Sequence, residues 1–336
     1  MQLSKKQIEE ILDNWDLGKL KSYKKAEKGL VNHNWIIKTN KGKYVLRGVI
    51  FFRELKDIKF EIKYLDYLKN KKFPYEVPAP VKTKNKRLFL RIGKNYFWVY
   101  KFIEGKTVKK FNKSHLKQIA KMMANYHKII EKSKLNNKKG KGYPFSREII
   151  LEEIDKFKKK INNKSKKSKE DLIFLKESAK LVPLFKSLNG KGYGKLKKYP
   201  LHRDMSPDNL VWKNGKLSGI IDFETVSEIN VPIINDLIIV IQYGCGREDF
   251  KIDLSSIKFF LKEYKKHHSL NENEIKFVPD ILTAGAIDDF HYQYWLFVHD
   301  SSRAKLRWLK MGSKKAEWSS KNRDKIISIL LNKRKV

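Results

Sequence analysis

Between Leu20 and Leu46 apolar positions alternate with polar ones, and Gly29 and Asn40-Lys41-Gly42 punctuate the run. A period of two broken by turn residues predicts a hairpin, with "LVNHNWIIKT" on one strand and "KYVLRGV" on the other. The period then lengthens. Leu55, Ile58, Ile62, Leu65 and Leu68 recur three or four residues apart, which predicts a helix over 54–69 that "FPYEVPAP" brings to a stop. "RLFLRI", the turn Gly93-Lys94-Asn95 and "YFWVYKFI" read as a second hairpin, and Glu104-Gly105 ends the strand pattern. Beyond it the spacing is mostly helical. In "SHLKQIAKMMANYHKII" Leu116, Ile119, Met123 and Tyr126 share one face, with Ser114 as the expected N-cap. The strand-like "YPLHRDMSPDNLVWKNGKLSGIIDF" interrupts the helices, its Asn214-Gly215 being a strong hairpin signal, and the chain from 250 onward is helical and aromatic-rich. The order predicts an α+β protein: a small antiparallel sheet with one helix, a connector, and a larger helical region holding one embedded hairpin.

Composition changes this picture little. The chain has 336 residues, of which 41% are hydrophobic and 12% aromatic, enough for a sizeable core and too many for wholesale disorder. Its formal net charge of +38 points to a polyanion partner, but 64 of the 75 basic residues are Lys and 11 are Arg. Base-edge readout leans on the planar fork of Arg, whereas Lys is a solvated point charge. The charge therefore establishes no nucleic-acid partner. The stretches "KSKLNNKKGKGY" and "KKKINNKSKKSKED" read as solvated loops or helix ends. The single cysteine, Cys245, excludes an internal disulfide and a cysteine-based zinc site. The longest apolar run, "VPIINDLIIVI", is interrupted by Asn235 and Asp236 and is too short to span a bilayer. A cytoplasmic protein without a membrane partner is expected.

The chemistry concentrates in "HRDMSPDNL", residues 202–210, and in "GIIDFE" after it. Phosphoryl transfer needs a carboxylate to orient the attacking hydroxyl and metal-held phosphates. A kinase-type site draws these from a loop Asp, an Asn five positions later and an Asp closing the next strand. Asp204, Asn209 and Asp222 fit that spacing, with the "KNGK" hairpin in the right place between them. Asp204 is then the catalytic residue, and Asn209 and Asp222 are hard oxygen ligands for Mg²⁺. Turn formation around Pro207 is the competing explanation, and for Asp208 it is the preferred one. His202 and Arg203 are expected to brace the loop.

At these residues the sequence resembles the aminoglycoside phosphotransferase and choline kinase superfamily, relatives of the protein kinases. The catalytic loop reads like "HRDMSPDNL", and the metal Asp lies in "IIDFE" where protein kinases have "DFG". "GLVNHNWIIKTNKGKYVLR" and "SPDNLVW…LSGIIDF" look most like homoserine kinases of that superfamily. The resemblance spans most of the chain. It implies a bilobal protein-kinase-like fold, with a nucleotide-binding lobe over 1–103 and a catalytic and substrate-binding helical lobe over 104–336. It implies ATP and Mg²⁺ as cofactors. It places a phosphate cradle at Gly29, Asn32 and Asn34. It places Arg47 where the family usually has Lys, with Glu61 as its helix partner and Glu54 as the second candidate. Adenine contacts fall near Tyr100 to Ile103, and Asp236 stands where the family ties down the catalytic loop.

Within the helical lobe, "AIDDFHYQYWLFVHD" puts Asp288, Tyr292, Trp295 and His299 on one helical face. A carboxylate beside aromatic rings suits an ammonium group. The expected activity is phosphorylation of a hydroxyl on a small, amine-bearing acceptor such as homoserine. Choline, ethanolamine and aminoglycosides carry the same cation and remain alternatives, with Asp289 on a neighbouring face as the competing carboxylate. A catalytically silent structural relative is the alternative outside enzymology, which the intact Asp204, Asn209 and Asp222 oppose. A protein that binds nucleic acid, or phosphorylates a polymer, through its lysines is another, marked by steep salt dependence.

Overall fold

The computed structural model describes residues 3–26, 32–49, 53–137, 147–246 and 251–331. In chain order its elements are α1 (Lys5–Leu12), β1 (Leu20–Lys25), β2 (Asn32–Thr39), β3 (Lys43–Val49), α2 (Leu55–Asn70), β4 (Leu90–Ile92), β5 (Asn95–Lys101), α3 (Lys113–Glu131), α4 (Arg147–Asn162) and α5 (Lys169–Ser187). There follow β6 (Tyr199–Pro200), β7 (Leu210–Lys213), β8 (Lys216–Ile220), β9 (Asn230–Val231), α6 (Ile233–Gly244), α7 (Leu254–Lys265), α8 (Glu272–Ile275), α9 (Val278–His299), α10 (Leu306–Lys321) and α11 (Arg323–Leu330). A small antiparallel sheet early and helices later make the fold α+β.

Packing divides the chain into two compact units. One comprises Met1–Lys109, Lys128–Lys139 and Asp204–Ile229; the other comprises Lys110–His127, Gly140–Arg203 and Asn230–Val336. This grouping differs from a single cut at 103/104, because the segment with Asp204, Asn209 and Asp222 packs with the sheet.

In the first unit five antiparallel strands lie in the order β1-β2-β3-β5-β4. Both faces of the sheet are covered, which explains why β3 is buried along nearly its whole length. Tyr44 and Leu46 face α1 together with Trp35, Ile37, Phe97 and Val99. Val45 and Val49 face α2, packing with Ile58, Ile62, Trp98 and Tyr100. Arg47 lies between those two valines in the period of two, so the pattern that buries them carries its guanidinium to the α2 side. In the register it stands opposite Asn34 on β2 and Trp98 on β5.

The hairpin β7–β8 turns through Asn214 and Gly215, at φ 51° and 71°. Positive φ at both central residues is the turn whose twist matches paired strands, and Asn-Gly is its preferred sequence. Trp212 and Lys106 exchange backbone bonds of 2.9 Å, Glu76 N donates to Ser218 O, and Ile220 N donates to Glu76 O, each at 2.9 Å. These bonds fasten the hairpin beside the sheet. Two glycines make the approach possible. A Cβ on Gly105, whose φ is 141°, would stand 2.5 Å from Trp212 O, and one on Gly219 would stand 2.7 Å from Glu76 O.

The second unit is helical. Ile154 and Phe157 of α4, Phe174 and Leu181 of α5, Phe290 and Tyr294 of α9 and Leu309 of α10 form its main core. Phe174 and Tyr294 stack with centroids 3.9 Å apart. Ser168 caps α5 in a reciprocal capping box with Asp171. The expected cap of α3, Ser114, instead lies inside the helix, which starts at Lys113. Asn112 does the capping: its Oδ1 accepts from His115 N at 2.9 Å, while Asn112 N donates to His115 Nδ1. No helix among the described residues is long and apolar enough to cross a membrane. Cys245 is buried, and burial pushes its thiol well above the usual range, which leaves it unreactive.

Candidate active site

Asp204, Asn209 and Asp222 meet in the first unit. Asn209 Nδ2 donates to both the carbonyl oxygen and Oδ2 of Asp204, each at 2.8 Å. That fixes the Asp204 carboxylate and leaves Oδ1 as the acceptor end of the Asn209 amide. Asn209 O accepts from Ile221 N at 3.0 Å. The backbone thus brings the end of β8, and Asp222 with it, beside Asn209. Asp222 has φ 64°, a left-handed conformation costly for a residue with a Cβ and typical of functional turns. Its side chain is 42% exposed.

Opposite stands Arg47, 3% exposed, with Glu61, which is fully buried. Arg47 Nη1 lies 3.6 Å from Glu61 Oε1, and Nη2 lies 3.6 Å from Asp222 Oδ1 and 3.5 Å from Glu224 Oε2. Its guanidinium also sits 5.1 Å from the centre of the Trp98 ring. Burial alone would lower the Arg47 pKa, but Glu61 and Asp222, with Tyr100 and Glu224, outweigh it and hold the group above its ordinary value. A guanidinium in this setting is permanently charged. Even so, among the described residues, buried Arg47 Nε has no acceptor and Asn34 Oδ1 on the paired strand has no donor. A buried cation with an unused donor is chemically suited to an anion.

Glu61 takes its short bond elsewhere. Arg53 Nη1 donates to Glu61 Oε2 at 2.6 Å, while Arg53 Nη2 donates to Glu224 O at 3.4 Å and Ser227 Oγ at 3.3 Å. Arg53 and Glu224 are site residues that the sequence reading passed over. Glu224 was visible as the last letter of "IIDFE". Arg53 carried only a weak signal, an Arg in a chain that otherwise spends Lys.

Within the second unit a buried chain of hydrogen bonds anchors the backbone of Arg203. Arg203, at φ 54°, donates its backbone N–H to Asp236 Oδ1 at 2.6 Å. Asp236 Oδ2 lies 3.1 Å from His127 Nε2, and His127 Nδ1 lies 2.8 Å from the Tyr264 hydroxyl. All three side chains are buried. The anchor holds the strained residue directly before Asp204.

Other candidates fall as follows. Gly29 lies outside the described residues, and Asn32 is placed only as the first residue of β2. Glu54 is the N-cap position of α2, its carboxylate 2.5 Å from Lys56 Nζ. Tyr100, on β5, and Ile103, just past its end, are buried, and burial pushes the Tyr100 hydroxyl up to about 12. Asp288, Tyr292 and Trp295 lie on α9 in the second unit. Tyr292 and Trp295 are 45% and 36% exposed and stack 6.1 Å apart at 9°. Burial, then the carboxylates of Asp289 and Glu153, raise Asp288 to about 7.

For a metal, no group of three or more His, Cys, Asp or Glu among the described residues is ready to hold one. The donors at hand are the carboxylate of Asp222 and the amide oxygen of Asn209. Two hard oxygens suit Mg²⁺, which commonly takes its remaining ligands from water and phosphate.

The sequence profile of the Phosphotransferase enzyme family matches residues 22–254. A homoserine kinase of Chelativorans sp. (strain BNC1) is 24% identical over 308 residues, covering 91% of this chain and 90% of that protein. Among solved structures, spectinomycin phosphotransferase APH(9)-Ia in complex with ADP and spectinomycin superposes with a TM-score of 0.67 at 14% identity, covering 98% of each chain. A microcompartment-associated aminopropanol kinase superposes with a TM-score of 0.65 at 12% identity, covering 96% of this chain and 97% of that one. The protein-kinase-like fold is common to these structures.

Proposed function

Because the chain belongs to the Phosphotransferase enzyme family, whose members move a phosphoryl group onto a hydroxyl, we propose that it is an ATP- and Mg²⁺-dependent kinase of a small amine-bearing alcohol, homoserine first. The observation that carries the reading is Arg47. It is a fully charged guanidinium, buried, whose Nε has no acceptor among the described residues. Asp222 lies 3.6 Å away, and Asn209 is held beside Asp222 by the Ile221 backbone bond.

In this reading Arg47 clamps the nucleotide phosphates, its fork matching their oxygens two at a time. Asn209 Oδ1 and Asp222 hold Mg²⁺, which when bound neutralises phosphate charge. Asp204 accepts a hydrogen bond from the acceptor hydroxyl, aligns it, and takes its proton as the oxygen bonds to the γ-phosphorus and the bond to the β–γ bridging oxygen breaks, releasing ADP. The bond from Asn209 keeps the Asp204 carboxylate in one rotamer, so orientation is settled before the acceptor arrives. Asp288, with Tyr292 and Trp295, is assigned to the acceptor's ammonium group; the homoserine and aminopropanol relatives support a cationic acceptor. The 1–103 and 104–336 lobes are retained as functional halves, nucleotide-binding and acceptor-binding.

ATP consumption with Mg²⁺ against homoserine, choline, ethanolamine, methylthioribose and an aminoglycoside tests this, with Asp204→Asn alongside. Turnover on one acceptor that falls by about 10³-fold or more in the variant, at nearly unchanged Mg-ATP affinity, supports the assignment. Undiminished turnover in Asp204→Asn overturns the role of Asp204, and absence of nucleotide binding overturns the kinase reading.

A further inference from the structure

We propose that Arg53 is a positioning residue of the phosphate clamp: it engages one oxygen of the Glu61 carboxylate, so that Arg47 is held near the other without being consumed by it. This rests on the kinase reading and adds a residue to it.

Glu61 is a fully buried carboxylate and needs compensation from donors. Two arginines reach it, on unequal terms. Arg53 Nη1 makes a charge-assisted bond of 2.6 Å to Oε2. Arg47 Nη1 stays 3.6 Å from Oε1, and that oxygen has no hydrogen-bond partner among the described residues. The carboxylate therefore attracts Arg47 electrostatically without saturating it. The second arm of Arg53 reaches Glu224 O and Ser227 Oγ, in the turn that follows Asp222. One guanidinium thus ties α2, which carries Glu61, to the segment that carries Asp222. Both Arg53 end nitrogens are committed to protein, whereas Arg47 Nε has no acceptor among the described residues. The two cations divide the work: one fixes the carboxylate, the other faces a ligand anion.

Without Arg53, Arg47 is the cation left beside Glu61 among the described residues. The 3.6 Å gap then closes into a direct pair that competes with phosphate for the same nitrogens. Lys at 53 could contact Glu61, but a point charge cannot also span to the Glu224–Ser227 turn.

The test is Mg-ATP binding by calorimetry together with steady-state kinetics for wild type, Arg53→Gln, Arg53→Lys and the double variant Arg53→Gln/Glu61→Gln. Expected for Arg53→Gln are a Kd and KM for Mg-ATP raised about ten-fold, with kcat changed far less, as for loss of a group that orients a binding residue. Arg53→Lys falls between. The double variant binds Mg-ATP more tightly than the product of the single effects predicts, because Gln at 61 has no charge with which to seize Arg47. Unchanged Kd and KM in Arg53→Gln overturn the proposal, as does loss of kcat and thermal stability at constant KM, which marks a structural role only. Should Arg53→Gln fail to fold, Arg53→Lys decides: weakened Mg-ATP binding in a folded variant supports the role, wild-type binding overturns it. Wild type that binds no nucleotide sinks the kinase reading and this proposal together, whereas wild type that binds and variants that bind equally sink this proposal alone.

Discussion

Arg47 illustrates how one residue acquires a function from its surroundings. On a surface strand it would be one more cation; between Val45 and Val49 on a doubly covered strand it becomes a buried charge among Glu61, Asp222 and Glu224. Removing it leaves buried carboxylate undercompensated, so Arg47→Ala is expected to destabilise the fold by about 3 kcal/mol, the low end for breaking a buried pair, since Glu61 keeps Arg53. Urea unfolding measures this. Asp222→Ala should weaken Mg-ATP binding as well as turnover, in contrast to Asp204→Asn; calorimetry separates the two. Asp288 predicts a pH dependence. Its anion is the form that attracts an ammonium group, and that form predominates only above about 7. Acceptor KM should therefore fall between pH 6 and 8, and Asp288→Asn should abolish the trend. The same raised pKa favours folding at low pH, a preference lost as pH rises through about 7.

At the scale of elements, regular pieces were legible wherever a period ran uninterrupted. The alternation around "NKG" became β2 and β3, the apolar spacing over 54–69 became α2, and Asn-Gly turned the β7–β8 hairpin. The N-cap of α3 was misread because Ser114 and Asn112 are both competent caps, and the local sequence does not say which one the preceding chain leaves in extended backbone. Contacts between distant pieces were illegible. Nothing near Gly219 announces that Glu76 will bond on both sides of it, yet that approach is what requires a glycine. Gly219→Ala should destabilise by about 1–3 kcal/mol through overpacking against backbone that cannot yield. A shift of the urea midpoint without a change in slope would show it, whereas an unshifted midpoint would contradict the geometry.

For the whole molecule, the 75 basic residues so outnumber the 37 acidic ones that most surface charge is repulsive. Salt screens such repulsion over about a Debye length, ~8–10 Å at physiological strength. The melting temperature is expected to rise between low and moderate salt; a fall would mean that ion pairs outweigh the excess. The first unit is also discontinuous in sequence, since it takes in Asp204–Ile229. A fragment ending near 109 would lack the hairpin that satisfies Glu76 and Lys106, and no cooperative unfolding transition is expected of it.

By itself the sequence determined the α+β order of elements and the Asp204, Asn209 and Asp222 spacing, because periodicity and short-range turn chemistry are local properties of the chain. It also pointed to Arg47 and Glu61, through a family pattern. The tertiary structure alone decided that Glu61 gives its shorter bond to Arg53, that Glu224 joins the ring around Arg47, and that the β7–β8 hairpin packs with the sheet. Those depend on which side chains converge when distant segments are buried together, and burial is what turns an ordinary ion into one whose every partner matters.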